Sequence, residues 1–144
     1  MDVLCIEKIL KRDYSDYIDF DKGIGATGHS FGGNVAYYMC MNYEQFVCGI
    51  NMDGAIFGEY SGQRMKKAFM QICQPTNATV VSKALLDTDA PVDNEVLEDT
   101  THMGFTDLSF FHKSKWMMGR MDAKERSDKL IKLHLQFFEK NGVK

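Results

Sequence analysis

The chain has 144 residues and a formal net charge of −3, with 44% apolar and 26% charged residues. That length suits one domain with one core, and the balance is that of a globular protein rather than a disordered or fibrous one. The cations are scattered apart from Arg64-Met65-Lys66-Lys67, so no basic face for nucleic acid is expected, and no apolar run approaches a membrane span.

In chain order, Val3, Leu4, Ile6, Ile9 and Leu10 recur at helical spacing and predict a helix over 2–12. The start, Met1-Asp2-Val3-Leu4, lacks a basic region followed by a long apolar stretch, so the reading expects no signal peptide and a cytoplasmic location. The short apolar run at 23–27 predicts a buried strand, and 31–43 a helix. Two further strands are expected at 46–52 and 67–73. Helical spacing returns weakly over 77–86 behind Pro75, and 94–99 reads as a fourth strand. The clearest helix is the last. Asp122 and Glu125 form its start signal, Leu130, Ile131, His134 or Leu135, and Phe138 its apolar stripe, and Asn141-Gly142 its stop.

Strands alternating with helical segments predict an α/β domain over 1–144, with a mostly parallel sheet of about four strands flanked by helices. The four cysteines, Cys5, Cys40, Cys48 and Cys73, have no CxxC spacing and read as reduced, mostly buried thiols. The sequon at Asn77 reads as incidental without a secretion signal.

The chemistry concentrates in Gly28-His29-Ser30-Phe31-Gly32-Gly33. A serine between glycines, after a strand and before a helix, suits a nucleophile elbow. The bland alternative is a glycine-rich turn with an incidental serine. An elbow holds its serine in a strained backbone conformation. Gly28 and Gly32 are expected to keep side chains out of the crowded strand–helix junction, with Gly33 adding room. The backbone N–H of Phe31, at the helix start, can face a developing oxyanion.

Such a serine needs a base and an orienting acid. Of the four histidines, His29 is expected to point away across the elbow, His134 to lie on a helix face, and His112 to sit in a loop or at a helix start. His102 follows the last predicted strand, where a loop would overhang the elbow, and is the preferred base. Asp53, Asp87 and Asp89 compete as acid. Asp53 closes the strand after the elbow helix and is preferred, giving the order Ser, Asp, His found in α/β-hydrolases.

Gly28–Gly33, then Cys48-Gly49-Ile50-Asn51-Met52-Asp53-Gly54, then Thr101-His102-Met103-Gly104-Phe105-Thr106-Asp107, resemble the platelet-activating-factor acetylhydrolase-like branch of the α/β-hydrolases. The resemblance implies Ser30, Asp53 and His102 as a triad, with Phe105 and Asp107 echoing the region after the histidine. It implies hydrolysis of short or oxidised acyl esters with no cofactor and no metal. Two features depart from that pattern. Ala55 stands where the branch often has an aromatic residue two positions after the acid. A single helix precedes the elbow, so the resemblance is to the C-terminal half of such an enzyme, without the loop that donates the second oxyanion N–H. The strand at 23–27 would then be an exposed edge, and a homo-oligomer through it is expected. Two functions follow: a serine esterase or lipase-like hydrolase, or a catalytically impaired remnant serving as an assembly or binding module. A dienelactone-hydrolase-like enzyme would want a cysteine at position 30.

Overall fold

The computed structural model describes residues 2–58, 64–78 and 88–143. Four strands, β1 (Ile24–His29), β2 (Phe46–Met52), β3 (Ala68–Cys73) and β4 (Val92–Val96), form one sheet in the order β1-β2-β3-β4, every pair parallel. The central strands β2 and β3 are nearly continuous apolar runs because both faces are covered.

On one face, helices α1 (Asp2–Asp13) and α2 (Phe31–Asn42) enclose a cluster built on Ala36, Tyr37, Met39, Cys40, Phe46 and Phe69. On the other, helix α5 (Ala123–Lys140) packs Leu130, Leu133, Phe137 and Phe138 against Cys48, Ile50, Met70, Ile72 and Leu97. Between β4 and α5 run a 3-10 turn at His102–Phe105 and two short helices, α3 (Leu108–Phe111) and α4 (Lys115–Met118).

Apart from the helix expected at 77–86, the predicted elements are present with shifted faces and ends. In α1, Ile6 and Ile9 are exposed while Glu7 is buried, held by Lys11 and by Gln45. The helix turns Val3 and Leu4 to the sheet instead of its isoleucines. In α5, Ile131 and Leu135 are exposed, and the buried face runs from Arg126 through Leu130 and Leu133 to Phe137. Asp122 caps this helix by accepting from the N–H groups of Lys124 and Glu125. β4 starts two residues before the expected position because Phe69 N–H donates to the Pro91 carbonyl and sets the register.

Residues 79–86 of the helix expected at 77–86, and the candidate acid Asp87, lie outside the described residues. All four cysteines are free thiols. Cys40, Cys48 and Cys73 are buried, while Cys5 is exposed. Burial pushes the Cys40 thiol up to about 12 and those of Cys48 and Cys73 up to about 11, so all three stay protonated and inert at neutral pH. No helix among the described residues is long and apolar enough to cross a membrane.

β1 and β4 are the two sheet edges, and they differ. β4 presents Asp93, Asn94 and Glu95, polar residues typical of a protected edge. β1 is Ile-Gly-Ala-Thr-Gly-His, and no strand pairs with its outer side among the described residues.

Candidate active site

The site forms at the carboxyl ends of the parallel strands, where side chains from separate loops converge. Ser30 sits between the end of β1 and the start of α2 with φ 56° and ψ −121°, a region that costs a non-glycine residue of order 1–3 kcal/mol. Its N–H donates to the Met52 carbonyl at 2.9 Å, tying the elbow to β2.

The glycines divide their roles differently from the sequence expectation. A Cβ on Gly28 would run into the backbone of Gly32, and one on Gly33 would overlap the amide of Asn51. At Gly32 a Cβ would meet nothing within 4 Å. The crowded positions are therefore Gly28 and Gly33. Gly32 contributes the backbone that Gly28 approaches, not an empty side-chain position.

Asp53 follows β2 at a second corner, also at positive φ (52°), and its side chain is fully buried. Its Oδ1 accepts from the Gln74 N–H and the Asn77 Nδ2, both at 3.0 Å. Its Oδ2 accepts from the Gln74 Nε2 at 2.9 Å and lies 2.7 Å from His102 Nδ1. Gln74 and Asn77 come from the loop after β3. Asn51 braces the same corner, its amide exchanging hydrogen bonds with Gly54 N–H at 2.9 Å and Gly54 carbonyl at 2.7 Å.

His102 opens the 3-10 turn after β4. Its Nε2 is 3.0 Å from Ser30 Oγ. Because the Asp53 carboxylate can only accept, His102 Nδ1 carries the proton and Nε2 accepts from the serine hydroxyl.

His29 does not point away. Its ring lies 4.6 Å from that of His102 and 6.0 Å from that of Phe105, and its Nε2–H donates to the His102 carbonyl at 3.0 Å. Burial, then the neighbouring His102, pull His29 below the usual histidine range, which keeps it neutral. His134 accepts from Thr27 Oγ1 at 2.9 Å through Nε2 and donates to the Leu130 carbonyl at 2.8 Å through Nδ1, remote from Ser30 in its bonding. His112 ends α3 and receives the Ser114 N–H. Asp89 pairs with Arg64 at 2.6 Å on the surface. Asp107 is exposed at the start of α3 without a capping bond.

Sequence reading missed Gln74, Asn77 and the bracing role of His29. Asn77, within the sequon read as incidental, donates a hydrogen bond to Asp53. Sequence reading also missed Phe57, whose exposed ring lies 6.1 Å from the exposed ring of Phe31, the residue after Ser30. Ala55 is not aromatic, but the same loop supplies an aromatic ring two residues later. Among the described residues no group of three or more His, Cys, Asp or Glu side chains is arranged to hold a metal ion.

The four parallel strands with helices on both faces have counterparts in solved structures. The fold is that of the α/β-hydrolases. The chain is similar to a ferulic acid esterase from Streptomyces cinnamoneus, with TM-score 0.76 and 19% identity over 94% of this chain and 46% of that one. It is also similar to an acylaminoacyl peptidase from Pyrococcus horikoshii, with TM-score 0.65 and 18% identity over 96% of this chain and 27% of that one. An α/β serine hydrolase homologue from Coxiella burnetii gives TM-score 0.52 and 17% identity over 70% of this chain and 49% of that one. The chain thus spans less than half the length of each of these structures. No protein-family model and no curated protein matches the sequence.

Proposed function

We propose that this chain is a serine hydrolase acting on carboxylic esters through an acyl-enzyme. The observation that carries the reading is the unbroken relay from Ser30 Oγ to His102 Nε2 at 3.0 Å and from His102 Nδ1 to Asp53 Oδ2 at 2.7 Å. In this reading His102 Nε2 takes the Ser30 proton as Oγ attacks the ester carbonyl. Asp53 holds the ring in the productive tautomer and stabilises the imidazolium. The Phe31 N–H, at the start of α2, donates to the oxyanion. His102 then protonates the leaving alcohol, and a water activated by the same nitrogen releases the acid. No cofactor enters any step.

The exposed ring of Phe31, the residue after the nucleophile, and that of Phe57, 6.1 Å from it, would contact the acyl or alcohol group. Short or oxidised acyl esters are the substrates implied by the resemblance of Gly28–Gly33, Asp53 and His102 to the platelet-activating-factor acetylhydrolase-like branch. The esterase among the structural neighbours is consistent with ester chemistry. The second reading, an impaired binding or assembly module, is favoured by the 39% exposure of the His102 side chain, since a wet base weakens the electrostatics of the site.

Hydrolysis of p-nitrophenyl acetate, butyrate and octanoate by the chain and its Ser30→Ala variant separates the two readings. The hydrolase reading expects turnover of the short esters that Ser30→Ala abolishes. Equal background rates from the two folded proteins would favour the module.

A further inference from the structure

The buried cation among the described residues is Arg126, in the first turns of α5 and only 2% exposed. Its Nη1 donates to the Met118 and Met121 carbonyls at 3.1 Å each, and its Nε has no hydrogen-bond partner. The carboxylate nearest in influence, Asp122, is already engaged as the α5 cap. A buried guanidinium held only by carbonyls is short of an anion, and a buried polar atom without a protein partner calls for a water or an ion. Beside it opens a cavity of about 470 Å³, also lined by Lys113, Lys115, Arg120 and Lys124 and by the one carboxylate of Asp122. Lys124 is paired with Asp128, whereas Lys113, Lys115 and Arg120 are exposed.

We propose that this cavity between α4 and α5 is a binding site for a small oxyanion of the phosphate or carboxylate type, seated against Arg126 and gathered by Lys113, Lys115 and Arg120. A guanidinium presents paired donors that match two oxygens of either group. The site is tied to the His102 turn. Thr101 Oγ1 donates to the Met117 carbonyl, and the Met118 carbonyl that receives Arg126 also abuts Gly104. An anion here completes the charge of Arg126 and braces the turn that carries His102. Binding is independent of whether the chain hydrolyses esters.

The test is thermal denaturation of the whole chain in increasing sodium phosphate, and separately sodium acetate, against sodium chloride at matched ionic strength. The expected result is a saturable rise in melting temperature with phosphate or acetate, the stronger of the two naming the preferred group. In the Lys113→Ala/Arg120→Ala variant, which alters exposed side chains, the apparent affinity should fall about tenfold or more. Identical melting in all three salts would overturn the proposal. So would an unchanged phosphate and acetate response in that variant. Arg126→Gln is a secondary probe, since loss of its carbonyl bonds can unfold the segment.

Discussion

Asp53 and His102 touch each other, yet they are held in opposite ways. Asp53 sits at the end of a central strand, fully buried, with three donors besides His102 on its two oxygens. His102 sits on a short turn beyond an edge strand, with 39% of its side chain exposed. Asp53 is fixed at the end of β2 by donors from the loop after β3. His102 is fixed by fewer contacts: the donor from His29 at the end of β1 on its carbonyl, the Asp53 bond, and the packing of Gly104 and Phe105. In the proposed hydrolase, rigid positioning of Asp53 would let it orient a base, His102, carried on a less supported segment.

The largest effect expected from breaking this arrangement is at the acid. Asp53→Asn should keep the fold, because an amide oxygen still accepts from Gln74 or Asn77. It should lower kcat for a short ester by on the order of 10⁴, through loss of the productive His102 tautomer. A fall of less than tenfold would mean that the buried carboxylate only holds the corner together.

Next comes the scaffold beneath the elbow. Gly33→Ala forces a methyl into Asn51, which also braces the Asp53 corner, and should destabilise the fold by about 1–3 kcal/mol in urea denaturation. Gly32→Ala, in open space, should stay within about 0.5 kcal/mol of the parent.

On the base side, His29→Ala frees the His102 carbonyl and should lower kcat about tenfold, since small misplacements near the reacting atoms are costly. His29→Gln keeps a donor and should recover most of the loss with KM little changed. An equal loss in both variants would point to ring stacking instead of the hydrogen bond. The smallest effect is on acid sensitivity. Burial lowers the pKa of both His29 and His134, so the unfolded chain takes up protons near pH 6.5 that the folded chain refuses until lower pH. Their contribution is intact above pH 6.5 and is lost as the pH falls toward the folded values. A melting temperature that drops between pH 7 and 5.5, less steeply in His134→Gln, is the expected result.

The strand–turn–helix around Ser30 was legible because glycine, serine and flanking apolar periodicity each encode local backbone geometry. Asp53 was legible as the residue closing a strand and His102 as a residue of the loop beyond the last strand, since a parallel sheet gathers its carboxyl ends on one side. The cradle of Gln74 and Asn77 was not, because nothing local marks a polar side chain that reaches across from the next strand's loop. The faces of α1 and α5 were misread for a related reason. Periodicity finds an apolar stripe, but tertiary packing chose a neighbouring one, burying Glu7 against Lys11 and Gln45 and Arg126 against two carbonyls, and leaving Ile6, Ile9, Ile131 and Leu135 outside. The role of Gly32 was misread because strand–helix crowding falls on one side of the turn.

The most direct test of the relay is intact-mass labelling of the chain with a fluorophosphonate, which reacts with a serine only when a base has activated it. One adduct on the parent protein, absent from Ser30→Ala and strongly slowed in His102→Ala, is the expected result. A folded parent protein that takes no adduct would contradict the assignment of Ser30, His102 and Asp53 as a working triad.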